Sequence, residues 1–220
     1  MTHTSDGDTA MLDRANYVFR QKSGLLSAKD EYDILDADTD ETLGSARQNT
    51  STLMKLLGLA LGKDSVPTAF EVRKAGEEAP AFTARRRGLL FKKVEAVDGQ
   101  GQVIASIKPK RFSLSGGYHV YDGAGKHVAE AKGKLVGSEY RFLTPTGEEM
   151  AAVTKSWGGL ARQLVTSAHT YGVRLSPRCA DDPAARTVIL AAALAIDTLF
   201  PKGEGKKKKD GDKGGGGGDD

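Results

Sequence analysis

Residues 187–200 read TVILAAALAIDTLF, apolar on every side of a helical wheel except at Asp197. About 14 residues at a rise of 1.5 Å give a helix of roughly 21 Å, short of a hydrocarbon core of about 30 Å. A helix apolar all round has to be enclosed, and where lipid cannot enclose it, protein must. Asp181, Asp182 and Pro183 supply N-terminal helix signals and Pro201 a stop. The stretch therefore reads as the core of a domain, and Leu194→Asp is expected to unfold it by burying an unpaired charge. Asp197, near the helix end, is expected to anchor on amides at the rim of whatever surrounds it.

What precedes the helix reads as short strands. Alternating runs meet an Asp or Thr turn containing Gly and then alternate again: Tyr32 to Asp36 with Gly44, Val94 to Asp98 with Gly101, Tyr118 to Asp122 with Gly125, Tyr140 to Thr144 with Gly147. One hairpin fits each unit, and a meander of about ten to twelve strands results. The simplest enclosure is that sheet curled into a barrel around the helix. Ser51 to Leu61 (STLMKLLGLAL) breaks the pattern and reads as a short helix capping a barrel mouth or, as the alternative, an amphipathic piece that touches lipid. Residues 1–11 are expected to be a flexible leader, 12–201 the domain, and 202–220, a Lys/Gly/Asp-rich run without apolar residues, a disordered tail.

The net charge of +3 hides an uneven spread. Residues 1–50 hold ten acids and five bases, whereas residues 82–111 hold eight bases and two acids, Glu95 and Asp98. The bases are Arg85, Arg86, Arg87, Lys92, Lys93, Lys108, Lys110 and Arg111. On neighbouring strands they would gather into a field suited to an anionic partner. A single cysteine, Cys179, leaves no internal disulfide and fits a reducing compartment. The start MTHTSDGDTA has neither the basic nor the apolar region of a secretory signal, so a cytoplasmic location is expected, with peripheral membrane association open.

The residues from Met150 to Phe200 carry a resemblance. MAAVTKSWGGLARQLVTSAHTYGVRL, followed by AAALAIDTLF, resembles the C-terminal half of phospholipid scramblases and of the LURP-one-related proteins, through Thr154, Lys155, Trp157, Gly159, Thr166, Ala168, Tyr171, Gly172 and Ile196-Asp197. Lys29 to Ile34 (KDEYDI) is similar to the N-terminal half of the same family. The resemblance implies a mainly β (α+β) Tubby C-terminal-like fold, a closed barrel of about twelve strands around a central C-terminal hydrophobic helix. It further implies phospholipid or phosphoinositide binding through basic side chains. Where eukaryotic scramblases place acidic calcium ligands before the final helix, this chain has Ser167, His169 and Arg178. Calcium needs several oxygen ligands, which His and Arg do not provide, so no calcium activation is expected. The proline-rich leader and lipidated cysteine cluster of those proteins are absent from the sequence.

Catalytic signatures are not found. His3, His119, His127 and His169 show no paired-ligand spacing, so no metal is expected. Asp36, Asp38 and Asp40 begin like a calcium loop but meet Glu41 and Arg47 where Gly and Glu belong, and they read as a solvated acidic turn. No phosphate-binding glycine loop or GxSxG elbow occurs, and Cys179 and His169 form a pair only in sequence. Trp157 with Gly158 and Gly159 reads as a packed barrel corner. The expectation is a non-enzymatic domain without cofactor that binds anionic phospholipid at the eight bases. The alternative is a structural or protein-interaction module of the same fold. Nucleic-acid binding is weaker, since only Phe91 and Phe112 accompany the bases as stacking aromatics.

Overall fold

The apolar helix is enclosed. In the computed structural model, which describes residues 10–22, 31–49, 67–86, 93–110, 117–134, 139–154 and 170–199, it is α2 (Pro183–Thr198). Every residue from Val188 to Ile196 is at most 7% exposed. The helix starts four residues earlier than position 187, because the Asp182 side chain caps it by accepting from the amides of Ala184 and Ala185, and Pro183 fills its first turn. A short helix, α1 (Pro177–Ala180), precedes it.

Twelve antiparallel strands surround the helix: β1 (Asn16–Gln21), β2 (Glu31–Asp36), β3 (Thr42–Gln48), β4 (Thr68–Lys74), β5 (Pro80–Arg86), β6 (Val94–Val97), β7 (Val103–Pro109), β8 (Tyr118–Asp122), β9 (His127–Lys134), β10 (Glu139–Leu143), β11 (Glu149–Thr154) and β12 (Thr170–Leu175). Each pairs with the next in sequence, and β1 pairs with β12 to close the barrel. The upper end of the expected strand number and the closed form are thus both realised.

A helix about 10 Å across fits inside only where the wall is thin. Ala84, Ala96 and Ala105 are register partners across β5, β6 and β7, all fully buried, and α2 packs most closely on these strands. Elsewhere rings fill the width: Phe19 stacks on Tyr171 at 5.0 Å, and Tyr32 meets both Phe70 and Tyr171 edge-on. The Tyr140 hydroxyl donates to the Ala193 carbonyl of the helix at 3.3 Å.

The repeated turns are one device used three times. Gly101, Gly125 and Gly147 have φ between 80° and 93°, and each donates its amide to the carbonyl of the Asp98, Asp122 or Thr144 three residues before it. The first unit departs from the sequence reading. Gly44 lies inside β3, where a Cβ would collide with the Arg73 carbonyl, and the left-handed turn position is held instead by Asp40 (φ 63°). Met11, assigned to the leader, is 3% exposed and belongs to the core, so the domain begins before residue 12. The capping segment 51–61, Trp157 to Gly159, the Asp197 side chain, residues 1–9 and the tail 202–220 lie outside what is described.

Candidate functional site

Alternation along β5 turns Phe82 and Ala84 inward and Arg85 outward, next to Glu95 on β6 and Ser106 on β7. Arg85 approaches Glu95 Oε2 at 3.4 Å while Lys93 holds Oε1 at 2.7 Å. A second outer row places Lys108 on β7 beside His119 on β8 and Glu130 on β9. Lys110 and Lys132 reach Glu130 Oε2 at 2.7 and 3.1 Å, and His119 Nδ1 lies 3.5 Å from Oε1. The hydrogen bond from Lys110, seconded by Lys132, holds the Glu130 carboxyl down at about 2. Lys108 Nζ stands 4.7 Å above the Tyr121 ring, a cation–π contact. Arg85, Lys93, Lys108, Lys110 and Lys132 thus face the two carboxylates of Glu95 and Glu130, and positive charge is in excess.

Of the eight bases singled out in the sequence, Arg85, Lys93, Lys108 and Lys110 stand on this outer face. Arg86 does not. It takes the inward register of Phe82 and Ala84 and is 8% exposed, so it is no part of a surface site. Arg87, Lys92 and Arg111 lie outside the described residues. The sequence reading missed Lys132 and Glu130, because their membership depends on the pairing of β9 with β8 rather than on proximity along the chain.

A groove of about 1040 Å³ opens at the end of the barrel where α1 leads into α2. Its lining mixes apolar Val128, Met150 and Val188 with charged Lys126, Glu149 and Asp182. Cys179 borders it, but burial pushes its thiol up to about 11, which leaves it protonated and unreactive at neutral pH. Arg178, one of the three residues that the sequence reading set in place of acidic calcium ligands, pairs with Glu148 at 2.7 Å; Ser167 and His169 lie outside the described residues. In the acidic turn, Asp36 accepts from the amides of Asp38 and Thr39 and pairs with Arg14 at 2.6 Å. These partners satisfy the carboxylate as a turn-former. Among the described residues no helix is long and apolar enough to cross a membrane.

A family model described as Scramblase matches residues 88–201, just over half of the 220-residue chain. No curated protein matches the chain. Among solved structures, the fold is similar to the X-ray structure of a protein from Arabidopsis thaliana, with a TM-score of 0.51 and 12% identity, over 82% of this chain and 87% of that one. At that identity the likeness speaks for the fold.

Proposed function

Because the chain belongs to the Scramblase family, we propose that it is a non-enzymatic peripheral protein that binds anionic phospholipid or phosphoinositide headgroups on the outer face of β5–β9, without calcium-activated lipid flipping. The supporting observation is the excess of bases there, five against Glu95 and Glu130. Each Lys or Arg near an anionic surface contributes on the order of 1 kcal/mol, so three uncompensated charges give measurable, salt-sensitive attachment. The absence of flipping is argued from α2, whose apolar surface is spent on the barrel core, and from Arg178 at a position where calcium would need an oxygen ligand.

The test is co-sedimentation with neutral and anionic vesicles at low and physiological salt. Lys206–Lys209 are changed to Gln throughout, since a tetralysine run attracts anionic lipid by itself. Binding should be selective for anionic vesicles, fall with salt, and drop at least tenfold in Lys93→Glu/Lys108→Glu. Unchanged binding in that variant would remove the outer face as a lipid site. The alternative, a protein-interaction module of the same fold, would then lead; the groove beside α1, lined by both apolar and charged residues, is the observation that favours it.

A further inference from the structure

His119 and His127, eight residues apart and on different strands, meet on the outer face of the β8–β9 hairpin. His119 Nδ1 lies 3.2 Å from His127 Nε2 and 3.5 Å from Glu130 Oε1, and the three ligand atoms all fall within 4.8 Å of one another. A tetrahedral site with bonds of about 2.0–2.1 Å has ligand-to-ligand edges of about 3.3 Å, so two of the three edges stand near their bound length. The third, between His127 and Glu130, is no longer than 4.8 Å and has to shorten when an ion binds. Lys110 and Lys132 both hold Oε2, which leaves Oε1 toward the histidines, in the manner of outer partners that orient a ligating carboxylate.

We propose that His119, His127 and Glu130 bind one divalent transition-metal ion, Zn²⁺ being the best match, with water completing the coordination. Two imidazoles and one carboxylate suit zinc and its borderline neighbours and do not suit calcium or magnesium, which take oxygen ligands. The same distances arise from a hydrogen bond between the two imidazoles inside a network of ion pairs, and that is what the experiment has to exclude. The two lysines oppose the ion's charge, which sets the affinity in the micromolar range and makes the ion an addition to the fold rather than a condition of it. The site shares Glu130, Lys110 and Lys132 with the basic face, but it does not rest on the lipid reading, whose test changes none of the three proposed ligands.

The full chain, stripped with chelator, is titrated with Co²⁺ while the visible absorption of a low-symmetry four-coordinate ion is followed, and with Zn²⁺ by calorimetry. One equivalent should bind at micromolar concentration. His119→Ala and His127→Ala should each weaken it at least tenfold, Glu130→Gln should weaken it as well, and Lys132→Gln should tighten it several-fold by removing an opposing charge. The double variant His3→Ala/His169→Ala should bind like the parent. Thermal unfolding establishes that each variant is folded; the two ring positions are half-buried surface sites outside the core, so folding is expected. No saturable Zn²⁺ binding below about 100 μM would overturn the proposal. So would an affinity indifferent to His119→Ala and His127→Ala, or a loss that follows His3 and His169 instead.

Discussion

The wall made by β5, β6 and β7 and the wall made by β1, β2, β4 and β12 fill the same barrel with opposite side chains. The first presents the alanine row Ala84, Ala96 and Ala105 and lets α2 approach; the second presents Phe19, Tyr32, Phe70 and Tyr171, which occupy the width with their own rings. Inside, the helix is therefore off-centre by construction. Outside, the alanine wall carries Arg85, Lys93 and Lys108, so the strands that seat the helix also present the basic face. One strand does both jobs because its alternate residues point to opposite sides.

The comparison breaks completely if the helix itself is made incompatible with either wall. Leu194, fully buried on α2, tests this. Leu194→Asp places an unpaired carboxyl among apolar groups and removes the leucine's packing, a loss comparable with the roughly 5–15 kcal/mol margin of a typical domain. Urea titration should find no cooperative transition. A soluble, cooperatively unfolding Leu194→Asp protein would mean that the helix does not depend on its enclosure.

Emptying the aromatic wall should hurt more than crowding the alanine wall. Phe70→Ala removes a ring that is 2% exposed and leaves a cavity, with a loss of about 3–5 kcal/mol. Ala96→Leu forces three carbons between β6 and α2, at a cost of about 1–3 kcal/mol. Denaturant midpoints of the two variants give the order directly. If Ala96→Leu were neutral, the alanine row would not be the seat of the helix.

That seat was partly legible in the sequence and partly not. The run TVILAAALAIDTLF announces an enclosed helix because no face of it is polar enough for water, and the Asp or Thr turns with Gly announce hairpins because only certain residues take φ above zero. Pairing is what a sequence conceals. Arg85, Arg86 and Arg87 read as one patch, yet adjacent positions on a strand face opposite ways, and Arg86 went inward. His119 and His127 have no recognisable ligand spacing. The hairpin register shifts between Val120 and Tyr121, pairing His119 with Glu130 and Tyr121 with His127, and this irregularity is what gathers them. The Gly44 reading failed for a related reason, since Asp tolerates the left-handed turn position and freed glycine for the close approach in β3.

On the outside of the alanine wall, stability and binding should separate. Lys93→Glu/Lys108→Glu should shift the unfolding free energy by no more than about 0.5–1 kcal/mol, because exposed charges contribute little to folding. A larger loss would show the basic face to be part of the fold, and a drop in vesicle binding would then no longer report on lipid contact.

The smallest expected effect lies in the ion pairs that neutralise this face. Glu130 is held down at about 2, chiefly by its hydrogen bond from Lys110, against an ordinary value of 4.5. A depressed carboxyl binds its proton less readily folded than unfolded, so its contribution is full above pH 5, falls as pH drops, and is gone below about pH 2. The pairs are partly solvated, and screening limits their worth to about 0.5 kcal/mol instead of the several that such a shift would represent if buried. Lys110→Met should therefore be less stable than the parent by about that amount at pH 7, with chelator present, and the gap should close steadily between pH 5 and pH 2. A gap that stays constant across this range would assign the loss to packing of the Lys110 stem against its neighbours. The carboxylate would then be a bystander in folding, free to serve as a ligand.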